Sequence, residues 1–242
     1  MKGVILAGGK GTRLYPLTKA TNKHLLPVGR EPMIYHPIRH MVDAGITDIL
    51  VVTSVDHMGE MVNCLGSGVE LGCGLTYRVQ DGALGIANAL SLAEGFAGGG
   101  KICVFLGDNI FQTSIAPIVE SFRKQEKGAR VVLKSVHDPE RYGVAALDEQ
   151  HILEIEEKPA NPKTSFAVVG LYFYDGQVFD IIRTITPSAR GEYEITSVNN
   201  EYIARRELQY EIYPGAWTDA GTFESLQEAN KLLHDTANEL AR

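Results

Sequence analysis

The sequence predicts an α/β fold, Rossmann-like, with a mostly parallel, mixed central sheet flanked by helices. Three observations carry this expectation. Short apolar strand-like runs alternate with amphipathic helical patterns through the first half, and the rhythm tightens to closely spaced strand candidates beyond Asp138. A chain of 242 residues with 44% hydrophobic side chains can also bury a large core.

The elements follow in order. Lys2 to Ala7, ending in GVILA, is the first strand, and a helix is expected around Met33 to Ala44. DILVVTS, a helix around Met58 to Leu65, LTYRVQ and a helix around Ile86 to Ala93 come next. KICVFLGD, a helix around Ile115 to Glu126 and ARVVLKSV close the first half. Apolar strands joined by helices stack as right-handed β-α-β units. VAAL, ILEIEE and FAVVGLYFY then predict hairpins or a mixed extension. Helices near Val178 to Ile185 and Ser197 to Arg206, the strand LQYEIY and a last helix from Thr222 to about Leu240 complete the chain. With no linker-like tract, internal repeat or low-complexity segment, residues 1–242 are expected to form a single domain.

Composition excludes several classes. No apolar run reaches the ~18 residues of a membrane span, and the N-terminus enters a core-like strand without a basic and apolar leader. A cytoplasmic protein without a membrane partner is expected. A formal charge of -7 argues against nucleic acid, whose backbone needs a cationic face, so anionic ligands must be met by a few placed cations. Cys64, Cys73 and Cys103 form no C-x-x-C pair and leave one over, which fits reduced thiols. His36 and His40 are spaced i, i+4 but lack the carboxylate of H-E-x-x-H, and read as ordinary helix residues.

Chemistry concentrates first in LAGGKGTRLYPLTKATNKHLLPV, Leu6 to Val28. A P-loop fails because Val4 stands where its first glycine belongs, and a dinucleotide turn fails because Leu14 replaces the third glycine. What survives is a strand ending in glycines whose N–H groups can approach an anion, from Gly8 to Arg13. A plain turn would need no cations, and Arg13 and Lys23 supply two. In parallel sheets the ligand crevice lies beyond the strands' carboxyl ends, which adds Gln80, Asp108, Asn109 and Lys158 to the expected mouth.

Asp108, in GDN, reads alone as a turn or cap aspartate, but Asp219, in AWTDAGT, repeats the placement. Two such carboxylates suit Mg²⁺, whose remaining positions take water and phosphate oxygens. Lys158, in EEKP, reads equally as a surface lysine balancing Glu156 and Glu157 or as a third anion-binding cation. Two carboxylates and three cations, with no Ser-His-Asp or Cys-His grouping evident, suit phosphoryl or nucleotidyl transfer by positioning and charge stabilisation.

These residues resemble the bacterial sugar-1-phosphate nucleotidylyltransferases, whose N-terminal signature G-x-G-T-R-L-x-P-x-T is followed by K-x-L-L-P-V. Similar blocks follow as YRVQDGALGIANAL, VFLGDNIF, DPERYGVA, IEEKPANPKTSFAVVGLYFYD, SARGEYEIT and AWTDAGT, so the resemblance runs from about Met1 to Leu226. It is greatest to the thymidylyl-transferring members. The resemblance implies Mg²⁺-dependent transfer from dTTP to glucose-1-phosphate, a nucleotide-binding half at 1–137, a sugar-binding half at 138–242 and a homo-oligomer. Arg13 would hold the triphosphate and departing pyrophosphate, Lys23 the α-phosphate and Lys158 the sugar phosphate. Asp108 and Asp219 would hold Mg²⁺. Leu6, Gly8, Gly9, Gly11, Thr12, Gln80 and Gly85 would join Arg13 around the nucleotide, the Gln80 amide offering donor and acceptor to a pyrimidine edge. Gly143, Glu157, Val168, Tyr172, Thr196 and Trp217 would join Lys158 around the sugar.

The chain departs from the pattern in three places. Ser197 replaces the aspartate of E-I-T-D, Asn88 stands where glutamine is common, and Val169 replaces a frequent threonine. The chain also ends soon after the last predicted helix, where many of the family continue into a region of subunit contacts and regulation. Two alternatives stay open: a uridylyl- or cytidylyltransferase using a hexose-1-phosphate, and a non-catalytic sugar-nucleotide sensor on the same fold.

Overall fold

The computed structural model describes residues 1–240, with side chains as far as residue 234. In chain order the elements begin with β1 (Lys2–Ala7), β2 (Pro27–Val28), β3 (Glu31–Pro32), α1 (Tyr35–Asp43), β4 (Asp48–Ser54), α2 (Met58–Leu65), β5 (Gly74–Gln80), α3 (Ile86–Ser91), α4 (Glu94–Ala97), β6 (Ile102–Leu106) and β7 (Asn109–Phe111). They continue with α5 (Ala116–Lys124), β8 (Ala129–Ser135), β9 (Gly143–Leu147), β10 (Ile152–Glu157), β11 (Phe166–Tyr174), α6 (Val178–Thr184), α7 (Ile195–Ala204), β12 (Leu208–Ile212), β13 (Trp217–Asp219) and α8 (Phe223–Leu240). The mixed α/β class is as expected. Two compact units emerge: residues 2–83, 105–117 and 215 onward in one, and Met1 with residues 84–104 and 118–214 in the other.

The first unit holds the parallel strands β1, β4 and β5. β1 pairs in parallel with β4, Gly3 opposite Ile49 through Ala7 opposite Thr53, and β4 pairs in parallel with β5. β1 and β4 are almost wholly buried along their lengths, the pattern of strands covered on both faces. β5 alternates exposed and half-buried residues, as its edge position demands. The three-residue strands β7 and β13 pair antiparallel, with Asp219 opposite Asn109. Leu14, Leu26, Val28, Met33, Ile110, Ala220 and Ala229 form one apolar cluster, against which Leu226, Leu232 and Leu233 of α8 pack. This cluster anchors the segment after β1, because the residue beside Arg13 is the fully buried Leu14.

The second unit is built around β11. This strand pairs antiparallel with both β8 and β9, β9 pairs antiparallel with β10, and β12 lies parallel beside β8. Four steps along β11, from Val168 to Tyr172, are matched by only two along β8, Leu133 to Val131, so β11 bulges there. A bulge bends the strand and re-aims its side chains. Asn200 of α7 accepts from the Ile155 N–H at 3.0 Å and donates to the Ile155 carbonyl at 2.8 Å, fastening that helix to β10.

Candidate active site

In the first unit, the segment from β1 through Leu25 and the approach to β7 supply the predicted anion-binding residues. Gly11 has φ +60°, and a Cβ there would lie 2.7 Å from Thr18 Cγ2, so this turn requires glycine. A short 3-10 helix, Thr12–Leu14, follows and presents Arg13 beside the buried Leu14. The Arg13 guanidinium lies over Gly221, with Nη2 3.1 Å and Asp219 Oδ2 3.5 Å from where a Cβ would stand, so Arg13 and Asp219 both approach Gly221 just before α8. Gln80 is buried at the end of β5, with Oε1 3.0 Å from a Cβ built on Gly8. Leu6 is buried in β1, and its carbonyl accepts from the Gly107 N–H at 3.0 Å.

Lys23 donates to Asp108 Oδ2 at 2.5 Å, both side chains being about one-seventh exposed at 15% and 13%. Asn109 donates its amide to Asp108 Oδ1 at 2.9 Å. Burial alone would raise the Asp108 pKa, but Lys23 and these bonds hold the carboxyl below the usual range, so it is an anion. The pKa of the adjacent His24 is lowered as well, to about 3, by burial and then by Lys23, so its ring is neutral. Asp219 is brought to the same place by the β7–β13 ladder, where the Ala220 N–H donates to the Asp108 carbonyl at 2.8 Å. Asp108 is therefore no helix cap. Trp217 donates from its indole to Asn109 Oδ1 at 2.8 Å.

In the second unit three of the predicted sugar residues, Gly143, Lys158 and Thr196, lie beside Glu157, whereas Trp217 belongs to the first unit. The Thr196 hydroxyl donates to Glu157 Oε2 at 2.5 Å, and a Cβ on Gly143 would stand 3.3 Å from the Thr196 hydroxyl and 3.5 Å from Glu157 Oε2. The helix carrying Thr196 starts at Ile195, two residues before the expected Ser197, which places Thr196 in its first turn. Val168 and Tyr172 flank the β11 bulge. Lys158 adopts φ +47°, a left-handed conformation uncommon for a residue with a side chain, and lies 3.6 Å from Glu157 Oε1. Such backbone strain gathers at functional sites. Gly85, by contrast, packs against the Tyr193 backbone.

Residues 2–236 match the family described as nucleotidyl transferase. The chain belongs to this family. A Neisseria gonorrhoeae relative named glucose-1-phosphate thymidylyltransferase is 44% identical over 98% of the chain and 84% of its own length. A relative of the same name from Xanthomonas campestris is 44% identical over 96% of the chain and 80% of its own. A Bacillus anthracis protein, crystallised with sucrose and described as a candidate glucose-1-phosphate thymidylyltransferase, superimposes with a TM-score of 0.93 at 57% identity, covering 97% of this chain and 96% of that one. A UDP-glucose pyrophosphorylase shares the fold with a TM-score of 0.86 at 23% identity, over 97% of this chain and 98% of that one.

For this nucleotidyl transferase, the sequence reading missed one cation. Arg190 Nη2 lies 2.8 Å from Glu194 Oε1 and 3.3 Å from Glu157 Oε1, inside the predicted sugar set. Partial burial opposes its charge, but the Glu194, Glu192 and Glu157 carboxylates more than compensate and raise its pKa. Its i, i+4 spacing to Glu194 in SARGEYE was the available signal, which local sequence alone reads as a surface pair. Among the described residues no group of three or more His, Cys, Asp or Glu could hold a metal, and no helix is long and apolar enough to cross a membrane.

Proposed function

We propose that the protein transfers a thymidylyl group from dTTP to glucose-1-phosphate, giving dTDP-glucose and pyrophosphate, as a cytoplasmic homo-oligomer. The observation that carries this reading is the largely buried Lys23–Asp108 pair beside the glycine turn, with Asp219 and Arg13 both approaching Gly221 in the same unit. The names of the curated relatives support the choice of substrates. In this reading Lys23 meets the α-phosphate and Arg13 the departing pyrophosphate. Gln80 reads the base edge beside Leu6, Gly8, Gly9, Gly11 and Thr12. Glu157, Thr196, Gly143, Val168, Tyr172 and Trp217 bind the sugar, and Lys158 its phosphate.

A phosphate oxygen of the sugar substrate attacks the α-phosphorus as the bond to the β-phosphate oxygen breaks, and pyrophosphate leaves with that electron pair. A phosphate monoester with a second pKa near ~6 is already ionised at neutral pH, so no side chain needs to act as nucleophile or general base. The protein's part is to bring two anions together and to balance the charge that passes to the leaving group. Asp108 and Asp219 fit a hard divalent ion, because both offer carboxylate oxygens from adjacent ends of one ladder and Asp108 is held ionised. Mg²⁺ there would supply charge neutralisation on phosphate oxygens.

The test is pyrophosphate release with glucose-1-phosphate and each of dTTP, UTP, CTP, ATP and GTP. Release is expected to be fastest with dTTP and abolished by chelation of Mg²⁺. A dominant signal with UTP or CTP would overturn the nucleotide assignment, and binding without release in Mg²⁺ would favour a sensor.

Gly8 gives a second test. A methyl group at Gly8 meets only the far end of the Gln80 side chain, so Gly8→Ala is expected to displace the Gln80 amide without harming the fold. Calorimetric titration with dTTP should show affinity weaker by roughly tenfold, about one displaced hydrogen bond, with a melting shift under about 2 °C. Unchanged affinity would remove Gln80 from the base site.

A further inference from the structure

Glu60 lies outside every predicted binding set, yet its carboxylate holds the segment that presents Lys23. It sits in the first turn of α2, and Oε2 accepts from the Thr21 hydroxyl at 3.0 Å and from the Asn22 N–H at 3.1 Å. Asn22 immediately precedes Lys23 and is 1% exposed. Its Oδ1 accepts from the His24 N–H at 2.8 Å and lies 2.7 Å from His24 Nδ1, while its Nδ2 donates to the Ala7 carbonyl at 3.4 Å. Asn22 thus caps the short helix Lys23–Leu25 and ties it to the end of β1. Glu60 fastens that cap from outside, and Lys23 reaches from it to Asp108.

We propose that Glu60 is a positioning residue for nucleotidyl transfer, fixing through Thr21 and Asn22 the point from which the Lys23 ammonium reaches the nucleotide's α-phosphate. The proposal rests on the reading of Lys23 given above. A lysine stem has four rotatable bonds, so the place of its backbone decides whether the ammonium stands at the phosphate or beside it. Misplacement by about 1 Å is enough to lower turnover markedly. The bond from Asn22, chiefly, keeps the Glu60 carboxyl below the usual range, with partial burial opposing, so the anchor is an anion and its bonds are charge-assisted. His57 Nδ1, 3.5 Å from the same oxygen, flanks it.

The experiment compares the wild type with Glu60→Ala, Glu60→Gln, Lys23→Ala and the Glu60→Ala/Lys23→Ala double variant, reading kcat, both KM values and melting temperature. Glu60→Ala is expected to lower kcat about tenfold, the size of one charge-assisted hydrogen bond, with the KM for glucose-1-phosphate changed by less than about twofold. Glu60→Gln should recover most of that loss, because its amide oxygen still accepts from Asn22. With Lys23 already removed, Glu60→Ala should cost nothing further in kcat. A normal kcat for Glu60→Ala, or the same tenfold loss with and without Lys23, overturns the positioning role. Near-normal turnover of Lys23→Ala would overturn instead the reading of Lys23 itself.

Discussion

Asp108→Ala is expected to reduce turnover by at least about two orders of magnitude, the usual cost of losing one preorganised electrostatic group. The substitution acts twice. It removes one of the two carboxylates proposed to hold Mg²⁺, and it strands the Lys23 ammonium, whose side chain is only 15% exposed, without its counter-charge. Breaking a buried pair from one side costs about 3 kcal/mol or more, so the variant should also melt lower. Because the Asp108 carboxyl titrates below its ordinary value, its stabilisation is complete at neutral pH. It is lost only as pH falls from about 4, the unfolded value, toward and through the folded pKa. The two effects separate in the Lys23→Ala/Asp108→Ala double variant, in which no unpaired charge is left. Its melting temperature should rise above that of either single variant while turnover stays at the floor. Steady-state kinetics below all the melting points, with scanning calorimetry alongside, read both quantities. Near-normal turnover of Asp108→Ala would remove it from the reacting centre.

What the sequence revealed follows from what local pattern can encode. GVILA and DILVVTS were legible because strands covered on both faces are continuous apolar runs, and Met58 to Leu65 because its helix keeps one face for the core. The helix expected over Ile86 to Ala93 ends at Ser91, and a short second helix, Glu94–Ala97, follows it. Asp108 was expected just beyond the strand KICVFLG, and β6 does stop before it, at Leu106, but the strand β7 that begins at Asn109 was not foreseen. The strands NIF and WTD carry no period of their own. Only their pairing makes them strands, and that pairing sets Asp108 and Asp219 side by side.

The candidate site shows the same division. Cations and carboxylates standing at strand ends were legible by type, whereas the groups that hold them were not. Glu60 lies in a helical turn whose charge reads as solvated surface, and Asn22 in a polar turn. The β11 bulge did leave a trace: Gly170, between Val168 and Tyr172, interrupts an apolar strand, and an isolated strand glycine signals a bulge. The left-handed Lys158 left none, since nothing in EEKP demands φ +47°.

Gly85→Ala is expected to unfold the protein more readily rather than to weaken the nucleotide site selectively. Gly85 matches a nucleoside-binding position by resemblance, but its surroundings give it another duty. Its φ is +98°, and a Cβ would stand 2.5 Å from the Tyr193 carbonyl oxygen and 2.8 Å from the Tyr193 nitrogen. That backbone cannot yield cheaply, because the Tyr193 N–H donates to the Leu84 carbonyl at 2.8 Å and its own carbonyl accepts from the Ala87 N–H at 3.1 Å. A methyl group must break this pair of bonds or push α3 away. Backbone strain of about 1–3 kcal/mol joined to the loss of two hydrogen bonds at about 1 kcal/mol each gives roughly 3–5 kcal/mol. For a chain of this size that lowers the melting temperature by about 10 °C. Scanning calorimetry with and without dTTP separates the two duties. A large fall in the free protein, with the dTTP-induced rise preserved, assigns Gly85 to the backbone crossing. An unchanged melting temperature with that rise abolished would make it a nucleotide contact first.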